Sequence, residues 1–117
     1  MMATAAEWRA QAARVTPRSG IWIDGRWRDA VSGARFPSVN PATGAVLAEV
    51  ARGDAADVDM AVQAARRAFE DGRWARKSPS DRKEVLLRLA ALIRANVPEL
   101  ALLDTLDMGK PIAESST

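Results

Sequence analysis

The chain has neither cysteine nor histidine among its 117 residues. Without cysteine it can form no disulfide and no thiolate metal site, and it offers no cysteine nucleophile. Without histidine it also lacks the commonest general base and nitrogen metal ligand of enzymes. Its seven glycines are scattered at turns, so no glycine-rich phosphate-binding loop is present. The sequence therefore predicts no catalytic residue and no cofactor-binding residue within this chain.

Long apolar runs and a strong net charge are missing as well. No run approaches the ~20 apolar residues of a membrane span, and MMATAAEWRAQAARV lacks the apolar segment of a secretory signal. That stretch is poor in acids, as transit peptides are, but we interpret it as a short amphipathic helix. The net charge is only +2 and no basic block occurs. We therefore expect a cytoplasmic protein that binds neither membrane nor nucleic acid.

Arginine lies directly beside Trp8, Trp27 and Trp74. Such a combination can stack on nucleic acid bases. It is more often a packing anchor with an arginine whose aliphatic stem covers the ring, and we adopt that interpretation. Nucleic-acid binding through these residues is kept only as a weaker alternative.

The first half of the chain carries turn signals between β-prone runs. Asp24-Gly25 separates IWI from RWR and predicts a two-residue hairpin, because both turn positions need positive φ, which Gly accepts and Asp tolerates. Ser32-Gly33 and the run NPATG predict further turns, with strands on either side of NPATG. Pro37 indicates that its strand lies at a sheet edge. Several short strands are thus expected after a helix predicted over residues 4–15.

From residue 54 the apolar pattern changes to a helical period. Asp54 is predicted to cap a helix, with Asp57 at its third position. This helix is predicted to carry an apolar stripe that consists of Val58, Ala61, Val62, Ala65 and Phe69. A second helix is predicted to begin after Ser78, with an apolar face formed by Val85, Leu86, Leu89, Leu92 and Ile93.

A third helix is predicted to begin at Asn96 and to end at Gly109. Asn96 would cap it and Glu99 would reach back, which is a capping box. Gly109 suits the left-handed position after a helix, and Pro111 prevents continuation. The predicted order is an α+β unit in which short β-strands with a hairpin are followed by three helices.

These features, in this order, resemble the N-terminal segment of the NAD(P)-dependent aldehyde dehydrogenase superfamily. The resemblance rests on IWIDGRWRDAVSGARFPSVNPATGAVLAEVARGDAADVDMAVQAARRAF and on the following DGRWARKSPSDRKEVLLRLAALIRANVPELALLDTLDMGKPI. It implies an incomplete α+β portion of an α/β enzyme. An N-terminal helical extension over residues 1–19 would precede a truncated dehydrogenase domain over 20–117. EWRAQAARVTPRSG and LALLDTLDMGKPI are most similar to the branch acting on γ-glutamyl-γ-aminobutyraldehyde in putrescine degradation.

The resemblance also implies a chemistry. Family members oxidise aldehydes: a cysteine forms a thiohemiacetal, hydride passes to NAD or NADP, and the thioester is hydrolysed by water that a glutamate activates. Such enzymes are homo-oligomers when full length. Because this chain has no cysteine, we expect it to be inactive alone. The alternative is a non-catalytic interaction module that docks on a full-length dehydrogenase.

One family site maps onto this sequence. Many members hold a structural Na+ or K+, and the matching positions here are Ser38, Val39 and Asp107. Ser38 and Val39 would bind through their backbone carbonyls, so their side chains should matter little, and Asp107 would supply a carboxylate. The alternative for Asp107 is a solvated helix face that it shares with Asp104, three residues earlier.

Overall fold

A computed structural model describes residues 3–116. In chain order its elements are α1 Ala5–Ala12, β1 Ile21–Ile23, β2 Arg26–Arg28, β3 Arg35–Val39, β4 Val46–Ala51, α2 Ala55–Glu70, α3 Pro79–Ala95, α4 Val97–Met108 and α5 Ile112–Ser115. Contacts group them into two compact units. One unit contains the segments up to Arg18, Pro37–Glu49 and from Asn96 onward; the other contains Ser19–Phe36 and Val50–Ala95. The predicted α+β order is confirmed, whereas the division at residues 19 and 20 stays a prediction.

The predicted Asp-Gly hairpin is present in the second unit. Strands β1 and β2 pair antiparallel, with Ile23 opposite Arg26 and Trp22 opposite Trp27. Asp24 has φ 54° and Gly25 has φ 77°, so both turn positions are left-handed, as a type I′ turn requires. The rings of Trp22 and Trp27 meet edge to face, with centroids 5.2 Å apart.

Helix α2 begins with the predicted cap, and the cap also reaches a distant loop. Asp54 and Asp57 form a capping box. The buried Asp57 carboxylate accepts hydrogen bonds from the amides of Asp54 and Val31, both at 3.0 Å. These two bonds, the Asp54 amide first, lower the pKa of Asp57. The loop after β2 is thereby held to the start of α2.

Helix α2 turns its small side chains toward the hairpin and leaves its large apolar side chains exposed. Ala64 is buried, and Ala61 and Ala68 line a cleft against the hairpin turn. Three large members of the predicted apolar stripe are exposed: Val58 by 61%, Val62 by 57% and Phe69 by 70%. The small side chains of α2 fit closely against the hairpin, whereas its large apolar face has no cover within this unit.

Helix α3 begins as predicted, since the Ser78 hydroxyl accepts a hydrogen bond from the Asp81 amide at 3.1 Å. None of its described residues is buried. Leu86 and Leu87 are each 57% exposed, and Leu89 is 52% exposed on another side of the helix. A helix that is apolar on most sides normally lies inside a larger protein.

In the first unit, the NPATG turn lies between β3 and β4, which form a two-stranded sheet. The Asn40 side chain accepts a hydrogen bond from the Ala42 amide at 2.9 Å, and Thr43 accepts one from Ala45 at 3.2 Å. Gly44 has φ 74°, which a side chain would disfavour. The predicted turn is therefore confirmed.

The helices of the first unit differ from the expectation in three ways. Helix α1 is shorter than residues 4–15, and a capping box of Thr4 and Glu7 defines its start. The Asn96 side chain makes no capping hydrogen bond at α4, so the expected box with Glu99 is not formed. A short additional helix, α5, follows Pro111. Four helices rather than three therefore follow the strands in the described chain.

Packing in the first unit centres on α4. It contacts α1 and α5, and it buries Ala101 and Leu102, which are 1% and 4% exposed. Gly109 ends the helix with φ 77° and donates its amide hydrogen bond to the Thr105 carbonyl at 3.1 Å, as predicted. Of the helices between residues 3 and 116, none is both long and apolar enough to cross a membrane.

Candidate functional site

The structure brings together two of the three residues predicted to bind a cation. Ser38 lies in β3 and Asp107 in the last turn of α4. The Ser38 hydroxyl donates a hydrogen bond to Asp107 Oδ1 at 2.6 Å, although 69 residues separate them in sequence. A bond from a hydroxyl to a carboxylate is of the stronger, charge-assisted kind. The Ser38 side chain therefore has a partner, in contrast to the expectation that only its carbonyl would matter.

Local sequence explains why these residues meet. The NPATG turn follows β3 directly, and Gly109 ends α4 two residues after Asp107. A Cβ placed on Gly109 would lie 3.2 Å from Pro41 Cγ. The turn and the helix end are therefore in contact, and a residue without a side chain permits that closeness.

Val39 and Asp104 complete the predicted set. Val39 adjoins Ser38 in β3, and its side chain is 44% exposed. Asp104 lies on α4 one turn before Asp107, and both acids are exposed. Within the described part of the chain, no cluster of three or more acidic, histidine or cysteine side chains could hold a metal ion. Any ion here would depend on backbone carbonyls and the Asp107 carboxylate, all of them oxygen donors suited to a hard cation.

Cavities elsewhere offer little chemistry. In the first unit, an open cavity of about 480 Å³ is lined mainly by apolar side chains, including Trp8, Val97 and Ile112, and by no titratable group. In the second unit, a cleft of about 320 Å³ beside the hairpin turn contains Asp24 and Arg73. Arg73 is already bound to the Asp71 carboxylate, with Nε–Oδ2 at 2.8 Å. Neither cavity is lined by a nucleophilic side chain together with a side chain that could act as its base.

Comparisons with known proteins show that this chain matches only a small part of longer enzymes. It is 53% identical to the aminoacetaldehyde dehydrogenase of Pseudomonas aeruginosa over 108 residues, which is 92% of this chain and 22% of that protein. It is 44% identical to the NADP/NAD-dependent aldehyde dehydrogenase PuuC of Escherichia coli, again over 22% of the relative. The chain thus spans about a fifth of the length of these relatives.

Solved structures give the same result. The γ-glutamyl-γ-aminobutyraldehyde dehydrogenase of Burkholderia cenocepacia superposes with a TM-score of 0.94 and 51% identity, over 96% of this chain and 23% of that one. An indole-3-acetaldehyde dehydrogenase bound to NAD+ superposes with a TM-score of 0.96 and 43% identity, over 98% and 23%. The sequence model of the aldehyde dehydrogenase family matches residues 27–117. By sequence and by fold, the chain belongs to the aldehyde dehydrogenase family.

Proposed function

We propose that this chain serves as the N-terminal segment of an NAD(P)-dependent aldehyde dehydrogenase and that alone it oxidises no aldehyde. The main support for this proposal is that almost the whole chain superposes on less than a quarter of a related dehydrogenase. The absence of any cysteine supports the second part, because the thiohemiacetal route needs a thiolate nucleophile.

An NAD+-reduction assay with the purified chain tests this proposal. We expect no NADH above background with aminoacetaldehyde or γ-glutamyl-γ-aminobutyraldehyde. Turnover that follows the chain through purification and resists thiol-blocking reagents would contradict the proposal. Turnover abolished by those reagents would come from a contaminating enzyme, since this chain has no thiol.

The substrate class of the complete enzyme is part of the proposal. Two relatives are named for aldehydes that carry an amino or amide group, aminoacetaldehyde and γ-glutamyl-γ-aminobutyraldehyde. This supports an aldehyde derived from an amine, as in putrescine degradation. On the family resemblance alone, the complete enzyme is proposed to be a cytoplasmic homo-oligomer. DNA sequencing beyond codon 117 provides the test. We expect an open frame that encodes a glycine-rich strand–helix segment and later a cysteine.

A cation role for Ser38, Val39 and Asp107 is also proposed. The hydrogen bond between Ser38 and Asp107 supports it, because it brings the strand that supplies the carbonyls beside the carboxylate. Three oxygen donors would not complete the shell of a hard cation, so we expect weak binding of Na+ or K+ by this chain.

Sodium NMR relaxation detects such weak, rapidly exchanging binding. We expect the chain to broaden the sodium signal and Asp107→Asn to reduce the broadening. The matched control is Asp104→Asn, which removes the same charge one turn away on α4 and should leave the broadening unchanged. Equal effects of both substitutions would indicate diffuse attraction instead of a site.

A second candidate function is favoured by the exposed apolar faces of α2 and α3. Val58, Val62 and Phe69 on α2 and Leu86, Leu87 and Leu89 on α3 are each more than half exposed, and large exposed apolar patches mark interaction sites. Such a surface suits docking on the rest of a dehydrogenase polypeptide. Here the chain would be a module that acts by association.

The docking partner for the test is the part of the P. aeruginosa relative that this chain does not match. We expect the chain to bind that polypeptide and Val62→Glu to weaken binding, because the substitution places a charge on the apolar face. Gln63→Glu adds the same charge at the neighbouring exposed position and should bind like the unmodified chain. A monomer that never binds this polypeptide would exclude the docking role.

A further inference from the structure

We propose that the turn of the β1–β2 hairpin is a site of spontaneous modification, at which Asp24 is converted to isoaspartate through the amide of Gly25. In this reaction the Gly25 nitrogen attacks Cγ of the protonated Asp24 carboxyl group. A carbon–nitrogen bond forms, the carboxyl hydroxyl leaves as water, and a five-membered succinimide results. Water then opens the ring at either carbonyl, which gives aspartate or isoaspartate. Atoms balance without any other reactant.

The Gly25 amide is open to this reaction. Across residues 3–116 no acceptor takes a hydrogen bond from it. The position of a Cβ on Gly25 has no neighbour within 4 Å, so the space beside its Cα is open. Because glycine has no side chain, it also adopts the conformations of the ring more readily than other residues.

The Asp24 side chain is only loosely held. Asp24 forms an ion pair with Arg67 Nη2 at 3.4 Å, and its side chain is 47% exposed. Asp24 has φ 54°, which is unfavourable for a residue with a Cβ. Ring closure requires rotation about ψ and χ1 of Asp24, and two three-residue strands form a hairpin that is only marginally stable by itself. The turn can therefore open and react.

A second Asp-Gly pair in the same chain is protected in each of these respects. The Gly72 amide donates to the Phe69 carbonyl at 3.2 Å, and Gly72 is buried. The Asp71 carboxylate accepts from the Arg73 amide and Arg73 Nε, both at 2.8 Å. The Arg73 side chain, followed by its amide, lowers the pKa of Asp71, so the reactive protonated form is scarce. The two sites share the Asp-Gly motif, but the glycine amide and the aspartate carboxylate are hydrogen-bonded at Asp71-Gly72 and much less restrained at Asp24-Gly25.

The modification would change the hairpin. Isoaspartate carries the main chain through the side-chain carbon and adds one methylene to a two-residue turn, whose geometry sets the strand register. The pairing of Trp22 with Trp27 depends on that register. The ion pair to Arg67 also depends on the position of the Asp24 carboxylate. Aged protein should therefore show an altered tryptophan signal.

The experiment follows isoaspartate in the purified chain at neutral pH over weeks. Trypsin releases SGIWIDGR with Asp24 and AFEDGR with Asp71, and chromatography separates each peptide from its isomer. We expect isoaspartate at Asp24 to form at least about tenfold faster than at Asp71, because opening Asp71 requires the loss of charge-assisted hydrogen bonds. Equal rates, or a faster reaction at Asp71, would overturn the proposal.

Three controls separate structure from sequence. In urea both sites should react at similar rates; a difference that persists there would come from neighbouring residues and not from the fold. Arg73→Ala should accelerate isoaspartate formation much more at Asp71, which loses its hydrogen bonds to the Arg73 side chain, than at Asp24, which only shares a cleft with Arg73. Asp24→Asn keeps a residue that tolerates the turn and should deamidate by the same ring closure, detected by a mass shift. If Asp24→Asn does not deamidate, the proposal that the Gly25 amide is free to react would be contradicted.

Discussion

At the scale of single residues, Asp57 shows what a sequence pattern can and cannot predict. Its place in the capping box follows from its position three residues after Asp54. Its bond to the Val31 amide joins residues 26 apart, and no local pattern indicates that contact. The same holds for Ser38 and Asp107, whose hydrogen bond only the folded chain reveals.

We expect Asp57→Asn to lower the urea midpoint of unfolding at neutral pH. The folded pKa of Asp57 lies below the ordinary aspartate value of 3.8, so its contribution is complete above that value. The contribution is lost as the pH falls through the lower folded pKa. The midpoints of Asp57→Asn and the unmodified chain should therefore converge in acid. Asp59→Asn, on an exposed position of α2, is the control; a constant gap at all pH values would contradict the assignment.

Alanine substitutions at Gly109 and Gly44 separate the cost of backbone strain from the cost of a steric contact with Pro41. Both have left-handed φ, 77° and 74°, so alanine at either position should cost roughly 1–2 kcal/mol. At Gly109 the new Cβ would also press on Pro41 Cγ at 3.2 Å, whereas at Gly44 it would meet nothing within 4 Å. We expect Gly109→Ala to lower the free energy of unfolding more than Gly44→Ala. Equal losses of unfolding free energy would show that Pro41 moves aside without a measurable energetic cost.

At the scale of elements, local signals predicted the starts of α2 and α3 and the hairpin because their caps and turns involve residues close in sequence. The large apolar side chains of α2 are exposed in this chain. Its apolar stripe indicates a face that requires cover, but periodicity does not identify the segment that covers it. The four-residue α5 escaped prediction because so short a helix carries almost no periodic signal.

Helices α4 and α2 should respond differently to loss of an apolar side chain. Leu102 on α4 is 4% exposed and Val62 on α2 is 57% exposed. We expect Leu102→Ala to cost about 2–5 kcal/mol of unfolding free energy and Val62→Ala to cost less than about 1 kcal/mol. Urea unfolding measures both. Similar losses would mean that the face of α2 is already covered, for instance by a second copy of the chain.

Hydrogen exchange should distinguish α3 from α4. Amide protection reflects local opening, which is easier where few side chains are buried. We therefore expect amides of α3, which buries no residue, to exchange faster than those around Ala101 and Leu102 in α4. Addition of the remaining dehydrogenase polypeptide should slow exchange in α3. Unchanged exchange in a mixture that binds would place the docking surface elsewhere.

At the scale of the whole molecule, the chain has the fold of a family member's N-terminal part and little of its chemistry. Composition already indicated this, since a chain without cysteine or histidine lacks the usual nucleophile and base. The resemblance of the quoted sequence stretches to the family predicted membership, and the comparisons confirmed it. The predicted cation site stays a prediction.

NAD+ should not stabilise this chain. A ligand raises the unfolding temperature only if it binds the folded state preferentially, and the sequence contains no glycine-rich cofactor loop. We expect the same melting temperature with and without NAD+ at millimolar concentration, with ATP as a matched polyanion control. A saturable rise with NAD+ alone would reveal a cofactor contact within this segment.

The apolar surface of α3 has a consequence for synthesis on the ribosome. In a full-length relative, the segment that this chain matches is translated before the other four-fifths of the polypeptide. Leu86, Leu87 and Leu89 would then leave the exit tunnel before the segments able to cover them exist. Exposed apolar surface at that stage promotes aggregation. Nascent chains of this family should therefore depend on chaperones from the start of translation until later segments emerge.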